Sequence, residues 1–76
     1  MSGSPVKHSV TLCGHRTSIS LEEPFWAELR RIASERAQPI NALVAEIDEA
    51  RSPGTGLASA LRVFILNDLR QWRPDA

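Results

Sequence analysis

The stretch that most constrains this chain is Arg16 to Leu21, Arg-Thr-Ser-Ile-Ser-Leu, in which polar and apolar side chains alternate with the period of a β-strand. On a strand, Thr17, Ile19 and Leu21 face a core, and Arg16, Ser18 and Ser20 face outward as a guanidinium beside two small hydroxyls. Such a strand cannot stand alone, because its backbone donors and acceptors need a neighbour. It requires a pairing partner, either within the chain or in a second copy.

The residues before it offer one. From Val6 the alternation repeats, with Val6, His8, Val10 and Leu12 on one side and Lys7, Ser9, Thr11 and Cys13 on the other. Between the two runs lies Cys13-Gly14-His15, and a glycine at the first central position suits a tight type II′ turn. A turn centred on Gly14-His15 places Val10 opposite Ile19, Leu12 opposite Thr17, Thr11 opposite Ser18 and Ser9 opposite Ser20. The apolar faces then agree across the pair. Met1 to Pro5 is small and polar with nothing to bury, and is expected to be a flexible lead-in to a single domain over 6–76.

After Leu21 the period changes from two to 3.6. Glu22-Glu23-Pro24 has the carboxylates and the proline of a helix start. Phe25, Leu29, Ile32 and Ala33 recur as its inward stripe, with Trp26 on the flank, and the helix is expected to end near Ala37, before Pro39. A second helix is expected from Pro39 or Ile40 to Ala50, with Ile40, Leu43, Val44 and Ile47 inward. Ser52 to Gly56 is a breaker cluster. A third helix then carries Leu57, Leu61, Phe64, Ile65, Leu69 and Trp72, and Val63 and Leu66 widen its stripe enough to meet apolar neighbours on two sides.

Strand, helix, short turn, helix in this order resembles the ribbon-helix-helix fold of the MetJ/Arc class. The resemblance rests on Thr17 to Leu21, the acidic helix start at Glu22-Glu23, the Leu29/Ile32-Ala33 signature and a second helix opening Ile40-Asn41-Ala42-Leu43-Val44. The whole chain is also similar to short bacterial ribbon-helix-helix proteins. The resemblance implies an α+β fold: a ribbon-helix-helix unit with an N-terminal β-hairpin and an additional C-terminal helix, assembled as an intertwined homodimer. It further implies double-stranded DNA as a partner, read in the major groove by Arg16, Ser18 and Ser20. The N-terminus of the second helix, at Ile40 and Asn41, would meet a phosphate. Lys7 is placed with the phosphate contacts.

The chain departs from that pattern in three places. Pro39 stands where a Ser or Thr cap is common, Ala37 replaces the usual turn glycine, and the strand before Arg16 is extra. A dimer of paired hairpins would carry four strands, more than a major groove admits comfortably.

Composition narrows the alternatives. At 76 residues the chain can build only a modest core alone, which favours oligomers. Cys13 is its single cysteine, so disulfides give no help, and a lone thiol suits a reducing cytoplasm. No stretch resembles a signal peptide or a membrane span, and no membrane partner is expected. Formal net charge is zero, yet no Asp or Glu precedes Glu22, whereas Lys7, His8, His15 and Arg16 all do. The first part of the chain is therefore locally basic.

His8, Cys13 and His15 are metal-ligand types, but their spacing matches no closed site and a fourth ligand is missing, so no metal or cofactor is expected. Nothing pairs a nucleophile with a base and an orienting group, so no catalysis is expected either. Ser18 and Ser20 could simply fill the wet face of a half-buried strand. The interleaving of Arg30, Arg31 and Arg36 with Glu28 and Glu35 is typical of a solvated helix face. The expected function is a homodimeric DNA-binding protein, a transcriptional repressor reading a short operator. The competing expectation is a protein-interaction module, antitoxin-like, binding a protein partner through the dimer sheet and third helix.

Overall fold

The computed structural model describes residues 3–71. Its elements run β1 (Pro5–Leu12), β2 (His15–Glu22), α1 (Glu23–Glu35), α2 (Ile40–Ala50) and α3 (Leu57–Gln71). The two strands form one antiparallel sheet, so the neighbour that β2 requires is β1 of the same chain. Each strand keeps one open edge. Pro5 begins β1, one residue inside the expected lead-in, and a proline is tolerated at the first position of an edge strand.

The hairpin turn is shifted by one residue from the sequence expectation. Both Cys13 and Gly14 have positive φ, at 52° and 81°, which is the signature of a type I′ turn centred on Cys13-Gly14 rather than a II′ turn centred on Gly14-His15. The register moves by two residues in consequence. Val10 pairs with Thr17, Ser9 with Ser18, His8 with Ile19, Lys7 with Ser20 and Thr11 with Arg16. A two-residue slip preserves the faces, so Val10, Ile19 and Leu21 still point into the core. Thr17 shares their parity yet is exposed, because it lies toward the hairpin tip.

The inner face of the hairpin packs on the helices. Leu21, Leu29, Leu43, Val44 and Leu61 are fully buried, and Val10, Ile19, Trp26, Ile32, Ala33, Ile47 and Ile65 complete the cluster. All five elements contribute, so the core of the described residues closes within one chain.

Trp26, expected on the flank of α1, is in fact inside at 4% exposure, and Phe25 is only half-buried. The cause is β1. His8 lies on the inner face of that strand and stacks on the Trp26 ring, with centroids 4.1 Å apart and planes 15° from parallel. Its Nε2 is 3.5 Å from a carboxylate oxygen of Glu23.

α1 ends before the expected Ala37, at Glu35, in a Schellman closure: Gln38 N–H donates to Ala33 C=O and Ala37 N–H to Ser34 C=O. This closure places Ala37 at φ 54°, the left-handed position that glycine usually fills. Pro39 caps α2 without a side-chain hydrogen bond, and its carbonyl accepts from Ala42 and Leu43.

α3 covers the far side of the core with Leu61 and Ile65. Its second apolar side stays largely exposed among the described residues: Val63 and Leu66 are 56% and 54% exposed, and Leu69 is 40% exposed. Trp72 lies outside the described residues.

Candidate nucleic-acid interface

The alternation of each strand decides what the outer face of the hairpin displays. Residues facing away from Val10, Ile19 and Leu21 are Lys7, Ser9 and Thr11 on β1 and Arg16, Ser18 and Ser20 on β2, and all six are exposed. The register sets them in rows: Lys7 beside Ser20, Ser9 beside Ser18, Thr11 beside Arg16. Directly opposed side chains on such a pair lie about 5 Å apart at Cβ. The result is a patch of four hydroxyls with a cation at each end and no carboxylate between them.

The charge on this patch is uncommitted. Among the described residues neither Lys7 nor Arg16 enters an ion pair, whereas several helix arginines do. Arg31 is held by Glu28 at 2.7 Å, Asp68 at 2.8 Å and Glu35 at 3.1 Å. Hydrogen bonds to Asp68 and then Glu28 raise its pKa further above the arginine range. It ties α1 to α3 and is not free for a phosphate. Arg51 pairs with Asp48 at 2.7 Å. Arg36 approaches Glu46 at 4.0 Å and lies over the Phe64 ring. The neutral total therefore conceals a hairpin whose cations face solvent and helices whose cations are largely neutralised in place.

Glu22, at the end of β2, has outward parity but is turned to the helices. Arg62 donates to its carboxylate from Nη2 at 2.8 Å and Nε at 3.2 Å, and this hydrogen bond holds the Glu22 carboxyl below the ordinary carboxylate range. The pairing removes a negative charge from the edge of the patch. The Arg62–Glu22 and Arg31–Asp68 pairings leave no local signal in the sequence, since their partners lie far apart in the chain.

The other expected contact, the start of α2, has Ile40 half-buried and Asn41 exposed. Amides in the first turn of a helix have no intrahelical acceptor and are ready for an anion. Pro39 contributes none, so Ile40 and Asn41 carry that capacity.

His8, Cys13 and His15 do not form a common site. His8 is engaged by Trp26 under the hairpin, while Cys13 and His15 are exposed at its tip. Among the described residues no group of three His, Cys, Asp or Glu side chains could hold a metal ion. No helix among them is long and apolar enough to cross a membrane. A separate groove of about 570 Å³ runs between α2 and α3, lined by Leu43, Ile47, Ala60, Val63 and Phe64.

No curated protein and no solved structure matches the chain. The sequence profile of the ribbon-helix-helix domain matches residues 5–69, which takes in the hairpin, α1, α2 and nearly all of α3. The chain belongs to the ribbon-helix-helix domain family.

Proposed function

We propose that this protein is a homodimeric, sequence-specific DNA-binding protein of the bacterial cytoplasm that acts as a transcriptional repressor. The family is typical of DNA-binding regulators and antitoxins and is generally not enzymatic. The observation that carries the reading is the outer hairpin face, an exposed hydroxyl patch with Lys7 and Arg16 at its ends, neither of them in an ion pair among the described residues. Arg16, Ser18 and Ser20 are the base readers, because arginine addresses guanine O6 and N7 and serine hydroxyls serve either base type. The Ile40 and Asn41 amides and Lys7 hold phosphates, which fix position without carrying sequence information. Dimerisation is a family property, and Val63, Leu66 and Leu69 are apolar surface that a second chain would cover.

The same side chains favour a second reading. In it the chain is an antitoxin-like interaction module that binds a protein partner through the dimer sheet and the third helix, with Val63 and Leu66 as the apolar contact.

The test is a gel-shift series against the region upstream of the protein's own gene. Arg16→Ala should lose about 1–3 kcal/mol and relax the preference at one base pair. Asn41→Ala should weaken all sequences alike. An Arg16→Ala protein with unchanged affinity and preference would remove the ribbon as the reading surface. Failure of the wild-type protein to bind any duplex at low salt, with retained capture of a protein partner, would favour the second reading.

A further inference from the structure

We infer that β1 is a clamp on the DNA backbone, with Ser9 and Thr11 joining Lys7 as contacts to the phosphates that border the groove read by β2. The inference rests on the DNA-binding function proposed above and gives a role there to the strand that precedes the strand-helix-helix unit. In a ribbon-helix-helix dimer the ribbon takes one strand from each chain. The edge of β2 away from β1 is open, so β2 of a second copy has its place there and the dimer sheet runs β1, β2, β2, β1.

β1 is fastened into that sheet. It pairs with β2 along its whole length, Pro5–Leu12 against His15–Glu22. On its inner face Val10 is buried in the core and His8 is stacked on Trp26. Peeling β1 away would expose both side chains, uncover the Trp26 ring and strip the hydrogen bonds between the strands, so β1 accompanies β2 to the DNA.

Width then sets what each strand meets. Neighbouring strands lie about 4.8 Å apart, so the two β2 axes stand about 2.4 Å either side of the sheet centre and the two β1 axes about 7 Å from it. A B-form major groove is about 12 Å wide, which puts the β2 pair over the base edges and each β1 beyond the half-width of about 6 Å, over a sugar-phosphate wall. A twist of about 20–25° between neighbouring strands turns β1 further from the groove direction, across the backbone.

The chemistry of β1 suits a wall rather than a floor. Its outward side chains are Lys7, Ser9 and Thr11, all exposed, and the strand carries no carboxylate. Phosphate oxygens only accept hydrogen bonds, and an ammonium and two hydroxyls can all donate. Glu22, which faces Pro5 in the register, is held by Arg62. The guanidinium suited to a guanine edge, Arg16, lies on β2.

The experiment selects a preferred duplex from a random-sequence pool with the wild-type protein and takes a scrambled duplex of equal length as the non-specific probe. Ser9→Ala, Thr11→Val, Thr11→Ser, Lys7→Gln and Ser18→Ala are titrated against both over a range of salt, with circular dichroism confirming the fold of each. The clamp predicts that Ser9→Ala and Thr11→Val weaken binding to both duplexes by the same factor, roughly tenfold for two hydroxyls lost per dimer, and still select the wild-type sequence. Thr11→Ser, which keeps the hydroxyl, retains wild-type affinity. Lys7→Gln lowers the salt slope by about 0.9 for each of the two copies. Ser18→Ala, on β2, changes the selected sequence instead. If Ser9→Ala and Thr11→Val bind both duplexes as the wild type does, β1 stands clear of the DNA and the inference fails while the proposed function survives. If they change the selected sequence, β1 reads bases and the inference fails likewise. A wild-type protein that binds neither duplex overturns the inference together with the function on which it rests.

Discussion

Replacing Ala37 with glycine should make this protein more stable. Ala37 occupies the C′ position of the α1 Schellman closure with φ at 54°, where the Cβ of an L-residue crowds the following carbonyl. That conformation costs about 1–2 kcal/mol for a residue with a side chain. Glycine avoids the cost but brings a more flexible unfolded chain, which offsets about 0.5–1 kcal/mol. The balance is a net gain of about 0.5–1 kcal/mol. An unfolding entropy of about 2.1 cal/mol/K per residue gives ~0.16 kcal/mol/K for the 76-residue chain. The expected rise in Tm is therefore about 3–6 °C. The assay is thermal unfolding followed by circular dichroism at one fixed protein concentration, since a dimer makes Tm concentration-dependent. Ala37→Val is the opposing control, because a β-branched residue at this φ should lower Tm by more than Ala37→Gly raises it. An unchanged or lowered Tm for Ala37→Gly would refute the left-handed closure between α1 and α2.

Cys13→Asn should raise stability by about 0.5–1 kcal/mol, because Asn-Gly is the preferred pair where both central residues of a hairpin turn need positive φ; a drop in urea midpoint would argue against the I′ turn. Leu61→Ala should cost about 2–5 kcal/mol, as expected for a fully buried leucine, whereas Leu66→Ala should stay within ~0.5 kcal/mol in the dissociated chain. Equal costs in urea unfolding at low concentration would mean that α3 docks by another face. The pH dependence of the Glu22–Arg62 contact follows from its sign: a lowered carboxyl pKa in the folded state stabilises above the unfolded carboxylate value, near 4.3, and the contribution disappears as pH falls through the folded value. Glu22→Gln should therefore be less stable than wild type at pH 7, with the gap closing toward pH 3. A gap that does not change with pH would show that the charge of Glu22 does not matter.

What the sequence by itself determined is what its local periodicity encodes. Alternation at Val6 to Leu12 and Arg16 to Leu21, the proline and carboxylates at Glu22 to Pro24, the breakers from Ser52 to Gly56 and the helical stripes between them place every element to within a few residues. The strong signature from Thr17 to Val44 also gave the family. The alternation likewise defined the outer face on which Arg16, Ser18 and Ser20 lie, because a strand's side-chain parity is fixed whichever register it adopts.

Tertiary structure decided whatever depends on distant partners. Two hairpin registers that differ by two residues have the same faces, so hydrophobic parity could not choose between them. The backbone at Cys13 and Gly14 did, and it put Ser9 beside Ser18 rather than beside Ser20. Adjacent residues on a helix differ by about 100° around its axis, so a broad stripe does not say whether Phe25 or Trp26 is innermost. The arrival of His8 on β1 settled that in favour of Trp26. Which arginines remain free was equally beyond a local reading, since Arg31 meets Asp68 and Arg62 meets Glu22 only when α3 folds back across α1 and the end of β2. Local periods specify elements and faces, whereas register, choice of inner residue and charge neutralisation arise from contacts between residues remote in sequence.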